Sequence, residues 1–157
     1  MERTENSTPE NALSAGIPTR PLGKTGVNVS ILGVGGGHIG LIQHDAESIR
    51  LMHAAIDAGI TFSDSAWGYH GGRSEELMGR ALETDGRREK VFLMTKNCER
   101  DYEGSMQNLE ESLRRLKTDY VDLWQFHEII YDNDPALEAF RTKWCRCAGN
   151  GRSVLSV

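Results

Sequence analysis

Segments typical of β-strands alternate with segments typical of α-helices along this 157-residue chain, and this alternation limits the fold to one class. Apolar runs predict strands at residues 30–35, 61–63, 91–95 and 121–126. A helix-like segment separates each strand from the next, so consecutive strands do not pair as hairpins. Strands connected in this way form a parallel sheet with right-handed crossovers. The pattern therefore predicts an α/β protein.

Turn and helix signals complete the pattern. Residues 20–22 and 27–29 flank a turn with two glycines, which predicts a β-hairpin before the first parallel strand. Apolar residues at helical spacing, together with start and stop signals, predict the helices. The expected helices cover residues 45–58, 74–82 and 106–116.

Four polar side chains stand at or just beyond the ends of the predicted strands. Asp64 follows the second strand, Lys96 the third and His127 the fourth, while Tyr69 lies in the loop after Asp64. In a closed parallel barrel all strand C-termini open on one face, and that face holds the active site. An acid, a phenol, an amine and an imidazole that converge there form a proton-transfer site.

These residue types favour one kind of chemistry. A phenol is a poor acid at neutral pH, but an adjacent ammonium stabilises the phenolate and makes proton donation easier. Lys96 can supply the ammonium, Asp64 can keep that lysine charged and in place, and His127 can orient a substrate oxygen. Lysine and tyrosine are uncommon metal ligands beside one His and one Asp, so we expect no metal site. The set predicts a general acid directed at a carbonyl oxygen.

Six motifs, in order within residues 18–140, resemble the aldo-keto reductase family. They are PLGKTG at 21–26, DSAWGY at 64–69, GRSEELMGRAL at 72–82, VFLMTK at 91–96, SLRRL at 112–116 and YVDLWQFH at 120–127. Each motif alone is modest support, whereas the whole set is very specific. The resemblance implies a TIM (β/α)₈ barrel that reduces aldehydes or ketones. It also implies NADPH as the cofactor, with NADH as the alternative, and a small-molecule carbonyl substrate.

The resemblance implies catalytic roles for the four polar residues. Tyr69 would be the general acid, Lys96 and Asp64 would tune it, and His127 would orient the substrate. The hydride itself would come from the cofactor.

Further residues follow from the same resemblance. Gly36 and Gly37 match positions near the nicotinamide, and Asp64 would bind the cofactor with them. Trp67 and His70 flank Tyr69, and they would either line the substrate pocket or simply pack within the fold. In the family, the residues that bind the adenosine phosphate and most residues that contact the nicotinamide come from the second half of the barrel. Nothing in this sequence matches them.

Two other functions compete with this interpretation. Gly35-x-Gly37-x-x-Gly40 is a literal dinucleotide fingerprint after a strand, and Asp64 ends the next strand, as in a Rossmann-type dehydrogenase. However, the helix expected from Asp45 does not begin within that motif, because residues 41–44 intervene. This interpretation also leaves Tyr69, Lys96 and His127 unexplained. A non-catalytic nucleotide-binding regulatory barrel is the second alternative. A sensor need not keep a proton donor, so the complete polar set favours an enzyme.

Bulk properties exclude several classes of partner. The net charge of −5 argues against a basic surface for nucleic acid or anionic lipid. No stretch approaches the ~20 apolar residues of a membrane span, and the N-terminus lacks a secretory signal pattern. Cys98, Cys145 and Cys147 are an odd number without metal-type spacing, which favours free thiols. We therefore expect a cytoplasmic protein with no nucleic-acid or membrane partner.

The sequence predicts three parts along the chain. Residues 1–16 are polar and indicate a disordered lead, and residues 17–140 form the N-terminal part of the barrel. Four β/α units cannot close an eight-stranded barrel, which typically needs about 250 residues. Residues 141–157 carry four basic residues and no acid. Codons that the genetic code permits for residues 142–157 can be read in another frame as a helix-like segment followed by a strand-like segment, as the next β/α unit would require. We expect a frame-shifted tail, with a divergent native terminus as the alternative, and an inactive truncated half-barrel.

Overall fold

The computed structural model describes residues 16–129, which contain two sheets and the helices that connect their strands. Almost all of the expected lead and the whole expected tail, with Cys145 and Cys147, lie outside the described residues and stay predictions. In chain order the elements are β1 (Thr19–Pro21), β2 (Asn28–Ser30), β3 (Gly33–Gly35), α1 (Gly36–Ile39), α2 (Asp45–Asp57), β4 (Phe62–Asp64), a 3₁₀ turn (Tyr69–Gly72), α3 (Arg73–Leu82), a second 3₁₀ turn (Arg88–Lys90), β5 (Phe92–Asn97), α4 (Tyr102–Leu116) and β6 (Leu123–Phe126).

The larger sheet contains four parallel strands in the order β3-β4-β5-β6, which is their order along the chain. Val34 pairs with Ser63, Ser63 with Leu93, and Thr95 with Trp124. Helical crossovers connect β3 to β4, β4 to β5 and β5 to β6, as the sequence predicted. The described residues therefore form part of a (β/α) barrel, and the expected fold class is confirmed.

The N-terminal hairpin is also confirmed, but its second strand takes Ser30 from the expected first parallel strand. β1 and β2 pair antiparallel, with Arg20 opposite Val29. Ser30 then exchanges two hydrogen bonds of 2.9 Å with the backbone N–H and hydroxyl of Thr61. Leu32 is 56% exposed and lies in neither sheet. The expected strand at 30–35 was therefore too long, because the chain leaves the hairpin before it enters β3.

The two faces of the parallel sheet have different neighbours, because residues two apart on a strand share a face. Val34, Leu93 and Trp124 are buried on the helix side. The helices contribute most of the other members of this core, which include Met52, Ile56, Leu77, Met78, Ala81, Leu82 and Leu116. Phe62 and Phe92 stack on the opposite face, with ring centroids 5.9 Å apart. That face is the interior of a closed barrel, and Asp64 and Lys96 continue it towards the strand ends.

α2 begins at Asp45, as the sequence predicted, whereas α3 and α4 begin earlier than expected. α3 begins at Arg73, and α4 begins at Tyr102, where an oxygen of Asp101 accepts the backbone N–H of Gly104 at 2.8 Å. None of the helices within residues 16–129 is long and apolar enough to cross a membrane.

The helix expected from Asp45 begins at that residue, after the glycine motif, as the sequence predicted. The sequence did not predict α1, a short helix that begins at Gly36 inside the motif and ends at Ile39. The backbone N–H of Gly40 donates to the carbonyl of Gly36, which completes a single helical turn. This turn ends before the long helix α2 begins at Asp45, so the two helices are separate.

Candidate active site

The ends of β4 and β5 bring an acid and an amine together. Lys96 lies near the end of β5, and its ammonium forms an ion pair with the carboxylate of Asp64 at the end of β4. The same ammonium donates to the carbonyl of Ser65 at 2.8 Å. The Lys96 side chain is only 13% exposed. These contacts fix the ammonium at the C-terminal edge of the sheet.

A tight loop after β4 carries Tyr69 to the same edge. The backbone N–H of Ser65 donates to the backbone carbonyl of Met94 at 2.8 Å, and the backbone N–H of Trp67 donates to the backbone carbonyl of Lys96 at 3.0 Å. The loop therefore continues along β5 beyond the end of β4. The ammonium of Lys96 consequently lies 3.5 Å from the hydroxyl of Tyr69 and 5.1 Å from the centre of its ring.

His127 completes the group from the end of β6. Its backbone N–H donates to the carbonyl of Asn97 at 2.8 Å, which holds the residue beside β5. The imidazole meets the Tyr69 ring edge to face, with centroids 5.4 Å apart and an angle of 84° between the planes. The structure therefore brings all four candidate catalytic residues to one edge of the sheet. Their chemical roles stay predictions.

Cys98 is a member of this site to which the sequence analysis gave no role. Its sulfur lies 3.7 Å from Nδ1 of His127, and the residue is partly buried. It is a free cysteine, as expected. Burial raises the pKa of the Cys98 thiol, so the neutral thiol is favoured over the nucleophilic thiolate. Its position two residues after Lys96 was the signal that could have placed it here.

The two candidate cofactor-binding glycines lie where the backbone of α1 approaches the loop after β4. A Cβ atom on Gly36 would lie 2.8 Å from the hydroxyl of Ser65 and 3.0 Å from the carbonyl of Asp64. A Cβ atom on Gly37 would meet only the Tyr69 ring, at 3.7 Å. Gly36 therefore permits a close backbone approach, and Gly37 leaves space beside the phenol.

The two candidate pocket residues make different contacts. His70, an exposed residue with a φ of 53°, forms a 2.6 Å hydrogen bond between Nε2 and the carbonyl of Gly37. Trp67 donates its indole N–H to Glu111 of α4 at 2.9 Å. His70 thus connects the Tyr69 loop to the glycine segment, whereas Trp67 connects it to the outer helix layer. Their place beside a substrate stays a prediction.

The chemistry available at this edge is proton transfer. The Lys96 ammonium lies between a carboxylate and a phenol, and a nearby positive charge favours the phenolate that remains after a proton is donated. Among residues 16–129, no group of three or more His, Cys, Asp or Glu side chains could hold a metal ion.

Many known proteins are similar to this chain in sequence or in structure. The aldo/keto reductase family model matches residues 31–145. Aldo-keto reductase YhdN of Bacillus subtilis is 36% identical over 118 residues, which cover 66% of this chain and 35% of that protein. The holo form of an aldo-keto reductase from Bacillus halodurans has a TM-score of 0.64 at 32% identity, covering 80% of this chain and 45% of that one. A Klebsiella pneumoniae aldo-keto reductase with NADP and acetate has a TM-score of 0.60 at 32% identity, covering 64% and 36%.

The matched segment contains all four parallel strands and all four candidate catalytic residues. The chain spans about a third of YhdN and less than half of either solved relative. The described residues are consequently part of a TIM barrel, and the chain belongs to the aldo/keto reductase family.

Proposed function

We propose that the barrel to which these four β/α units belong reduces aldehydes or ketones to alcohols, with NADPH as the cofactor and NADH as the alternative. One observation carries the proposal: a single ammonium, that of Lys96, contacts both Asp64 and the hydroxyl of Tyr69 at the C-terminal edge of the sheet. The Klebsiella pneumoniae relative with bound NADP supports a nicotinamide cofactor. The free thiol of Cys98 fits a reducing cytoplasm.

The four residues divide the reaction among them. NADPH, when bound, supplies a hydride to the carbonyl carbon. Tyr69 donates its phenolic proton to the carbonyl oxygen, which becomes the hydroxyl of the alcohol. Lys96 stabilises the phenolate that remains, and Asp64 holds the ammonium in place. His127, beside Tyr69, orients the carbonyl oxygen towards the phenol.

The glycine segment fits a nicotinamide cofactor. Gly36 and Gly37 present backbone without side chains beside Asp64 and Tyr69, so a flat ring can approach the proton donor closely. We assign Gly36, Gly37 and Asp64 to the cofactor. Trp67 and His70 border the same edge and are proposed as neighbours of the substrate pocket.

The direct test uses the complete-barrel protein, in which these four β/α units are expressed together with the remaining units of the barrel. It is mixed with NADPH and a panel of aldehydes and ketones, and the loss of NADPH absorbance is followed. Turnover of at least one carbonyl compound is expected. Tight NADPH binding without turnover of any of them would favour the regulatory barrel instead.

Alanine substitutions at Gly36 and Gly37 should affect different quantities, the first mainly carbonyl reduction and the second mainly NADPH binding. Gly36→Ala should lower carbonyl reduction by about 10²-fold, because the new methyl group displaces Asp64 and Ser65, which both contact Lys96. Gly37→Ala should mainly weaken NADPH binding, by about fivefold or more, because its methyl group occupies space beside Tyr69 without moving Lys96. Steady-state kinetics and a fluorescence titration of NADPH measure the two effects. Equal effects of both substitutions on both quantities would contradict this assignment.

The 157-residue chain alone should neither bind NADPH tightly nor reduce carbonyls. Within the described residues, β3 and β6 each pair on one side only, so the partial sheet has two open edges. Native proteins keep only about 5–15 kcal/mol of stability, and loss of half a barrel core should exceed that margin. We expect no cooperative thermal transition and no micromolar NADPH binding. A cooperative transition together with micromolar binding would show that the four units are a functional protein by themselves.

A further inference from the structure

A buried ion pair lies behind the loop that carries Tyr69, on the helix side of the sheet. Glu75 of α3 is fully buried, and Arg115 of α4 is 10% exposed at its side chain. One guanidinium nitrogen of Arg115 lies 3.3 Å from the Glu75 carboxylate, and Thr95 of β5 donates to the same carboxylate at 2.7 Å. Burial raises the pKa of Glu75, and the hydrogen bonds from Thr95 and Arg115 oppose that rise. Two charges are costly to bury, so removal of one partner would leave the other uncompensated.

The same guanidinium holds the loop after β4. Arg115 donates to the backbone carbonyl of Trp67 at 3.0 Å and to Glu111 at 2.8 Å. Glu111 in turn accepts the indole N–H of Trp67 at 2.9 Å. Trp67 is therefore held by its carbonyl, by its indole and by its backbone N–H, which donates to the backbone carbonyl of Lys96. We call Glu75, Thr95, Glu111, Arg115 and Trp67 the Arg115 cluster.

The backbone around the guanidinium is shaped to receive it. A Cβ atom on Gly72 would lie 2.3 Å from Cζ of Arg115, so only a glycine leaves room there. Gly72 also has a φ of 96°, which a side chain would disfavour. Gly72 ends the 3₁₀ turn that begins at Tyr69. Arg115 thus contacts the loop on both sides of the phenol, at Trp67 and at Gly72.

We propose that Arg115 is a positioning residue, which sets the distance between the hydroxyl of Tyr69 and the ammonium of Lys96 by holding the loop against α4. This inference rests on the proposed function. The hydroxyl lies 3.5 Å from the ammonium, at the outer limit of a hydrogen bond, so a small displacement of the loop breaks the contact. Arg115 itself touches neither Tyr69 nor Lys96 in the contacts described above, and it acts through Trp67.

The test compares Arg115→Met and Arg115→Lys with Arg114→Met in the complete-barrel protein. Arg114 is a matched control, because it lies next to Arg115, is 72% exposed and also pairs with Glu111. Arg115→Met should lower kcat by about 10–100-fold, since misplacement of a catalytic group by 1 Å can cost about 10²-fold. NADPH affinity should change less than about threefold, and Arg114→Met should resemble the wild type. Arg115→Lys keeps a positive charge beside Glu75, so its kcat should lie between that of Arg115→Met and that of the wild type.

A second measurement does not depend on activity. Crystal structures of the complete-barrel protein and of its Arg115→Met and Arg115→Lys variants give the distance between the Tyr69 hydroxyl and the Lys96 ammonium. If Arg115 positions the phenol, this distance should exceed 3.5 Å in Arg115→Met and increase by less in Arg115→Lys.

The two measurements distinguish the possible failures. A wild type that reduces no carbonyl, but in which the distance from Tyr69 to Lys96 increases on Arg115→Met, would overturn the proposed function and keep the positioning role. A drop in melting temperature with unchanged kcat and an unchanged distance would make Arg115 a purely structural residue. Should Arg115→Met fail to fold, Arg115→Lys alone decides: an unchanged distance and kcat in that variant would overturn the inference.

Discussion

Tyr69→Phe is expected to lower carbonyl reduction by the complete-barrel protein by about 10²–10⁴-fold, which is the usual contribution of a positioned general acid. The substitution removes one oxygen and keeps the aromatic ring, so the edge-to-face contact with His127 remains. NADPH binding should stay nearly intact, because the phenol donates a proton and need not hold the cofactor. The effect should therefore appear in kcat far more than in the dissociation constant for NADPH.

Steady-state rates and a fluorescence titration of NADPH provide the two quantities. Tyr102→Phe is the matched control, because it makes the same change at an exposed position in the first turn of α4. That control should keep the rate of the wild type. Carbonyl reduction by Tyr69→Phe within a few-fold of the wild type would rule out Tyr69 as the acid.

Lys96→Met should be about as damaging, with a loss of about 10²–10⁴-fold. The substitution removes the ammonium but keeps an unbranched side chain, so Asp64 loses its ion pair and the Tyr69 hydroxyl loses its positive neighbour. Without that positive neighbour, the phenolate that remains after proton donation is less stabilised, so proton donation is slower.

Steady-state rates measure this effect. Lys90→Met is the matched control, because Lys90 is exposed in the turn before β5. Its rate should match that of the wild type. Carbonyl reduction by Lys96→Met within a few-fold of the wild type would show that Lys96 does not assist the proton donor.

The parallel sheet and the group of polar residues at its edge were predictable from particular residues. Apolar runs such as 91–95 identify the parallel strands, and intervening helix signals such as Asp45 exclude hairpins. Once the strands are parallel, residues after their C-terminal ends must share one edge, which is why Asp64, Lys96 and His127 were expected together. The resemblance of the motifs then added Tyr69, Gly36 and Gly37.

Element boundaries were predicted less well, and two of the differences have a tertiary cause. Ser30 belongs to the hairpin because its hydroxyl and N–H bind Thr61, which is 31 residues away. The one-turn helix α1 forms because Gly36 packs against Asp64 and Ser65, at a separation that a side chain would not permit. A single-sequence pattern carries no signal for either contact, since both depend on how distant segments meet.

The sequence by itself determined the fold class and the chemistry at the strand ends, because periodicity and residue type are local properties. Only the tertiary structure decided how the phenol is held near the ammonium. Arg115 and Trp67 are 48 residues apart in the chain, and Arg115 and Glu75 are 40 apart. Their contacts form because the crossover helices α3 and α4 pack side by side over the sheet, and this brings a buried ion pair behind the loop that carries Tyr69.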